Sequence, residues 1–143
     1  MAKKINKKAV KIKNSKEKIN KDLNDVDYDE KNGRLAFSSV SHNKCPISSW
    51  QGDELILLID AFKKFESEKW KDIFTDPGLK WERNSHIAFK LPRDLPEDIK
   101  LYSFRVSSKM RLYGYRAQEF FYIIWFDRNH EVCPMGRRKT YNA

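Results

Sequence analysis

The chain has 143 residues and carries 29 basic against 20 acidic side chains, a formal net charge of +9, with 34% charged and 13% aromatic residues. This length is enough for one domain with its own hydrophobic core. No apolar run reaches the roughly 18–20 residues of a membrane helix, and the lysine-rich N-terminus lacks the apolar segment of a secretory signal, so neither a membrane protein nor an exported one is expected. The two cysteines form no disulfide framework, which favours a cytoplasmic location.

The positive charge is concentrated at the N-terminus. Residues 1–21 hold nine lysines and one glutamate, so the other 20 basic and 19 acidic residues nearly balance. The lysines repel one another and the apolar residues between them are sparse, which predicts a flexible basic arm over residues 1–30 and a single α+β domain over residues 31–143. Such an arm attracts nucleic-acid phosphates without reading sequence, and the simpler alternative is a solubilising tail.

The first half of the domain contains one strong helical pattern. Leu35–Val40 follows a turn signal and predicts a first strand. Asp53–Glu66 predicts a helix, because apolar residues recur there at three- and four-residue spacing. Ser67 is the predicted cap of a second, short helix. The apolar face of the first helix consists of Leu55, Leu58, Ile59, Phe62 and Phe65, and that of the second of Trp70, Ile73 and Phe74.

The stretch from Leu101 to Cys133 is rich in aromatic and β-branched residues, which fit a half-buried pleated surface. Short polar breaks divide this stretch into the strands of an antiparallel meander. Together with the elements before it, one of them a short strand at His86–Phe89, it predicts an α+β fold: an antiparallel sheet of about four to five strands with two N-terminal helices packed on one face. The meander strands are Leu101–Val106, Lys109–Arg116, Glu119–Asp127 and a short one near His130–Cys133.

Side-chain alternation in the second meander strand predicts two unlike faces of the sheet. Met110 and Leu112 point to an apolar face, which the helices must cover. Arg111 and Tyr113 point to the other face, which mixes cations, tyrosines and hydrophobic residues and is expected to stay open as a groove. A turn at Ala117-Gln118 would place the apolar residues opposite Trp125, Ile123 and Phe121, and Tyr113 opposite Tyr122.

Interleaved cations and aromatic rings can hold phosphates while bases stack on the rings. RNA cleavage without a metal needs a base for the 2′-hydroxyl, cations for the phosphorane and an acid for the leaving oxygen. His130 suits proton transfer near neutral pH. Arg111 or Arg105 could neutralise the phosphorane, and Tyr113 or Tyr115 could orient the substrate or donate a proton. Alternatively, the tyrosines pack the sheet and the arginines are solvated cations. The residues predicted to bind nucleic acid are Lys109, Tyr115, Arg116, Arg128, Arg137 and Arg138.

Two segments of the meander, SFRVSSKMRLYGYR and FFYIIWFDRNHEVCP, follow the helical hairpin. This layout, over about Asp53 to Pro134, resembles the RelE/ParE-like toxin superfamily, small basic proteins of toxin–antitoxin modules. The long Leu79–Pro96 connection and the N-terminal position of the basic arm depart from the common pattern of that superfamily.

The resemblance implies a cytoplasmic, metal-independent endoribonuclease that needs no cofactor and cleaves ribosome-associated mRNA, as the RelE branch does. Its partners would be RNA on the ribosome and an acidic antitoxin-like protein, and its catalytic residues would match Arg105, Arg111, Tyr113 and His130. The alternative is a non-catalytic nucleic-acid- or protein-binding module of the same fold, which includes a ParE-like inhibitor that acts against gyrase or an inactive toxin relative.

Two short motifs near His130 leave alternatives open. Two H-x-x-C-P motifs are formed by His42 with Cys45 and by His130 with Cys133, and these four side chains could bind tetrahedral zinc. A regular strand would point His130 and Cys133 to opposite faces, so a chance match of the two motifs is favoured, with both cysteines as small buried hydrophobic residues. Asp127 could fix the tautomer of His130, or it could cap a turn through its own backbone.

Overall fold

The structure is a computed structural model that describes residues 26–96 and 98–134. These residues form a five-stranded mixed sheet with two helices, which confirms the α+β class. The helices are α1 (Gly52–Ser67) and α2 (Trp70–Ile73), and single 3-10 turns occur at Tyr28–Glu30 and Ile47–Ser49. The strands are β1 (Arg34–Ala36), β2 (Glu82–Arg83), β3 (Tyr102–Ser107), β4 (Met110–Ala117) and β5 (Phe120–Asp127), in the spatial order β1-β5-β4-β3-β2.

The three long strands β3, β4 and β5 form the predicted antiparallel meander. The prediction of a wholly antiparallel sheet is wrong, because β1 runs parallel to β5 along its outer edge. A parallel pair is possible here since both helices and three strands separate β1 from β5 in the chain, so no tight hairpin fixes their relative direction. The two short strands predicted at His86–Phe89 and near His130–Cys133 do not form; those residues lie in bends and irregular backbone.

The turn between β4 and β5 lies one residue later than predicted, with Ala117 opposite Phe120. It is reached through Gln118, whose φ of 60° is the left-handed conformation that tight hairpin turns require. The later turn pairs Tyr115, rather than Tyr113, with Tyr122.

A β-bulge then changes which residues of β5 share a face. Gly114 lies opposite Ile123, but the preceding residue Tyr113 lies opposite Trp125, so Ile124 is the extra residue. Ile124 and Trp125 therefore both belong to the apolar cluster on the side away from α1. The prediction that Trp125 lies on the helix-covered face is wrong for this reason.

Helix α1 covers one face of the sheet. A capping box begins it, in which the backbone N–H of Gln51 donates to Oε1 of Glu54 at 2.7 Å. Its side chains Leu58, Ala61 and Phe65 are buried, and the ring of Phe65 stacks on Phe104 of β3 with 4.6 Å between centroids.

The predicted apolar face of α1 is only partly in the core, since Leu55 and Ile59 are 38% and 53% exposed. The predicted cap of α2 is also wrong, because the Ser67 hydroxyl donates to the carbonyl of Lys64 inside α1 and Lys69 takes the N-cap position.

No helix in the described residues is long and apolar enough to cross a membrane.

The opposite face is closed as well, by the covering segment, residues 84–96 and 98–101. Tyr113, Ile124 and Trp125 are at most 1% exposed beneath it. The prediction of an open groove along this face is therefore wrong. The bulge turns two large apolar side chains of β5 toward this face, and burying them removes apolar surface from water. The covering residues are Ile87, Phe89, Leu91, Leu95, Ile99 and Leu101.

The register at the bulge can be tested at Gly114, where a Cβ atom would collide with the carbonyl oxygen of Tyr122. We expect Gly114→Ala to lower the free energy of unfolding by about 1–3 kcal/mol in urea denaturation, because the β5 backbone leaves no space for a methyl group. Gly52→Ala is the matched control, since a Cβ there meets nothing within 4 Å and alanine favours the helix. Equal stability of the two variants would contradict this register.

Candidate functional site

An open cavity of about 350 Å³ lies at one end of the sheet, where the β3–β4 turn meets the residues that follow β5. We call it the basic cavity. Three of the predicted site residues, Lys109, Arg111 and His130, line it together. The complete lining is Ser108, Lys109, Arg111, Asn129, His130 and Pro134.

Arg111 forms the inner wall of the basic cavity and is only 8% exposed. Its Nη1 donates to the carbonyl oxygens of Ser108 at 2.6 Å and Met110 at 3.1 Å, which fixes the guanidinium against the β3–β4 turn. Burial, reinforced by the positive charge of Arg105 on the neighbouring strand, lowers the pKa of Arg111 from its ordinary value. The direction of this shift means that the charge of Arg111 is incompletely compensated, so an anion in the cavity would stabilise it.

His130 reaches the cavity because the chain turns sharply after β5. Its φ is 60°, a left-handed conformation that histidine adopts more readily than most residues. Its Nδ1 atom is buried and has no hydrogen-bond partner within residues 26–96 and 98–134. The imidazole therefore has a buried nitrogen without a described partner, at the wall of the cavity that Arg111 and Lys109 also line.

Asp127 builds this turn. Its carboxylate is fully buried, and its two oxygens accept the backbone N–H groups of Glu131 and Val132, each at 2.8 Å. This geometry supports the turn-capping alternative for Asp127, since both carboxylate oxygens bind backbone rather than an imidazole. Asp127 thus determines the position of His130 by fixing the backbone of this turn.

Arg105 and Arg128 lie next to the cavity lining. Arg105 is exposed and lies opposite Arg111 in the β3–β4 pair. The Nε of Arg128 donates to Oε1 of Glu54 at 2.7 Å, which fastens the turn to the start of α1. This pairing lowers the pKa of Glu54 and raises that of Arg128, so the predicted nucleic-acid role of Arg128 would require it to leave an ion pair.

The structure separates the remaining predicted residues from the basic cavity. Tyr113 is buried under the covering segment, so the predicted catalytic role for its hydroxyl is contradicted by its lack of access to solvent. Tyr115 and Arg116 lie at the other end of β4, where the Tyr115 hydroxyl is 3.0 Å from Ser39 and Arg116 pairs with Asp29 at 2.7 Å. Arg137 and Arg138 lie outside the described residues.

The four predicted zinc ligands do not come together in the described part of the chain. Cys45 instead has its Sγ atom 3.8 Å from carboxylate oxygens of both Asp127 and Glu131. Burial and these two carboxylates raise the pKa of Cys45 to about 12, so its thiol is protonated and donates to them. Both Cys45 and Cys133 are buried free thiols, as the alternative to zinc binding predicted.

Besides Pro134, two polar residues of the lining, Ser108 and Asn129, are absent from the predicted site. Both are turn residues beside predicted site residues, Ser108 before Lys109 and Asn129 before His130. Ser108 has a φ of 35°, and backbone conformations of this kind are frequent at functional sites. Their sequence signal is their position in polar breaks that border the strands predicted to carry Arg111 and His130.

Comparison of the chain with family models, curated proteins and solved structures found no match. The assignment of function therefore depends on the chemistry of the cavity and on the resemblance seen in the sequence.

The role of Asp127 can be tested by Asp127→Asn, which replaces one of the two acceptor oxygens by an NH₂ group. We expect a loss of about 2–3 kcal/mol in the free energy of unfolding, because a buried charged acceptor of two backbone N–H groups is lost. Amide hydrogen exchange at Glu131 and Val132 should accelerate in the same variant. Asp60→Asn, on the exposed side of α1, is the control. Unchanged stability and exchange in Asp127→Asn would contradict the capping role.

Proposed function

We propose that the protein is a RelE-like endoribonuclease, a cytoplasmic, metal-independent enzyme that binds ribosome-associated mRNA in the basic cavity and cleaves it there. One observation carries the proposal: a single open cavity is lined by Lys109, Arg111 and His130, which were predicted to bind phosphate or transfer protons. A cavity with two cations and an imidazole offers the two kinds of group that phosphodiester transfer requires.

In the proposed reaction the ribose 2′-oxygen attacks the adjacent phosphorus. His130 accepts the 2′-hydroxyl proton as the new P–O bond forms. Lys109 and Arg111 stabilise the additional negative charge on the phosphorane oxygens. The bond from phosphorus to the 5′-oxygen then breaks, and the leaving oxygen takes a proton from the protonated imidazole or from water, which leaves a 2′,3′-cyclic phosphate and a 5′-hydroxyl.

Arg111 is suited to a positioning role as well as a charge-stabilising one. Its Nη1 is occupied by two main-chain carbonyls, so the guanidinium is held in one orientation before substrate arrives. A preorganised cation needs no rearrangement as charge develops on the phosphorane. Lys109, which is exposed at the rim, would meet the phosphate first.

A second function, nucleic-acid or protein binding without cleavage, is favoured by a different observation. Tyr113, the second proton donor of the predicted site, is buried away from the cavity. His130 would then have to serve both proton transfers. If it does not, the same cations hold RNA, or an acidic antitoxin-like protein segment that competes with it, and no bond is broken.

Mapping of transcript ends in a translating lysate distinguishes the two functions. We expect defined new ends with wild type, and a loss of cleavage of about 100-fold or more in His130→Ala, since general acid–base catalysis contributes at least this much. Lys109→Ala should also be impaired, whereas Lys63→Ala on the outer side of α1 is a charge-matched control that should cleave like wild type.

Arg111→Ala belongs in the same series, with circular dichroism to verify folding because Arg111 is nearly buried. Equal cleavage by wild type and His130→Ala, or none from any form, would contradict the enzymatic proposal. RNA binding without cleavage would support the second function. The salt dependence of that binding should then indicate about one phosphate contact fewer in Lys109→Ala than in wild type.

A further inference from the structure

A second cavity, of about 370 Å³, lies at the opposite end of β4 from the basic cavity. Its walls include four aromatic rings and two cationic side chains. We call it the aromatic cavity. The lining that matters here is Phe74, Trp81, Tyr102, Tyr115, Lys100 and Arg116.

The rings of the aromatic cavity are held by neighbouring rings. Trp81 stacks on Tyr102 with 4.8 Å between centroids and 11° between planes. Tyr115 stacks on Tyr122 at 5.0 Å and 8°, and its hydroxyl is 3.0 Å from that of Ser39. Because packing already fixes these ring orientations, a planar ligand would lose little free energy to ordering them.

The charges at the cavity select the kind of ligand. Aromatic walls also suit a methylated ammonium group. Among the described residues of the lining Lys100 and Arg116 lie beside one acid, Asp98, but Asp29 compensates the charge of Arg116, so Lys100 is the cation that would repel a cationic ligand and attract an anionic one. Arg116 is moreover fixed in place, 4.3 Å above the ring of Trp70 and paired with Asp29. A neutral planar ring that carries an anionic group fits both the rings and the charges.

We propose that the aromatic cavity binds one nucleotide of a single-stranded RNA, with its base against the rings and its phosphate near Lys100. The choice of RNA as ligand rests on the function proposed above, whereas the affinity for a base rests on the cavity itself. Arg111 and Tyr115 are four residues apart on β4, about 13 Å of strand, so one short RNA segment can reach both cavities. Stacking on such rings is tolerant of sequence, so it would add affinity to any base.

The test compares two fluorescent RNA hexamers, one intact and one without bases, both 2′-O-methylated so that the attacking hydroxyl is absent. We expect wild type to bind the intact hexamer about tenfold more tightly than the abasic one. Tyr115→Leu should bring this ratio close to one and leave the affinity for the abasic hexamer unchanged. Tyr115→Phe keeps the ring and should retain the ratio, as should Phe37→Ala, which removes an exposed ring elsewhere.

A ratio near one in wild type, no binding of either hexamer, or an equal loss for both hexamers in Tyr115→Leu would overturn the inference. Lys100 is exposed and lies outside the core, so Lys100→Ala should leave the fold intact and weaken the binding of both hexamers. Failure of this inference is distinguishable from failure of the proposed function. If wild type cleaves RNA but binds both hexamers equally well, only the nucleotide site is contradicted. If wild type shows the tenfold ratio but does not cleave RNA, only the enzymatic proposal is contradicted.

Discussion

The candidate site depends on one buried carboxylate. Asp127 ends β5 and lies across from Arg111, and its two oxygens bind the N–H groups of Glu131 and Val132 instead of solvent. An ionised carboxylate is costly to bury unless such donors surround it, so the chain after β5 must fold back over Asp127. That turn gives His130 its left-handed backbone and places it beside Lys109 and Arg111. Without the turn, β5 would continue as a strand and the imidazole would leave the cavity.

Both faces of the sheet are buried, which restricts function to its ends. Helix α1 covers the face of Phe104 and Phe121, and the covering segment closes the face of Tyr113 and Trp125. The basic cavity and the aromatic cavity lie at opposite ends of β4, one at its first residues and one at its last. An RNA strand bound to this protein would therefore pass around the ends of the sheet and not along a groove on one of its faces.

Much of the fold could be predicted because its signals are local. The meander strands follow from alternation and polar breaks, and α1 from the spacing of Leu58 and Phe65. The bulge at Ile124 could not, because Ile123 to Phe126 are all apolar and any register buries them. The covering segment has no period, so its contribution to the core is visible only in three dimensions. Residue type identified Arg111 and His130 as candidates, but their proximity depends on Asp127 capturing backbone groups beyond the end of a strand.

The central claim is that RNA binds in the basic cavity. The most direct measurement is a residue-resolved NMR titration of labelled protein with a short 2′-O-methylated RNA, which observes the imidazole of His130 and the guanidinium of Arg111. The account predicts saturable shifts at these two side chains and at Lys109, with no change at Lys63 on the outer side of α1. RNA binding that shifts other signals and leaves His130 and Arg111 unchanged would contradict it.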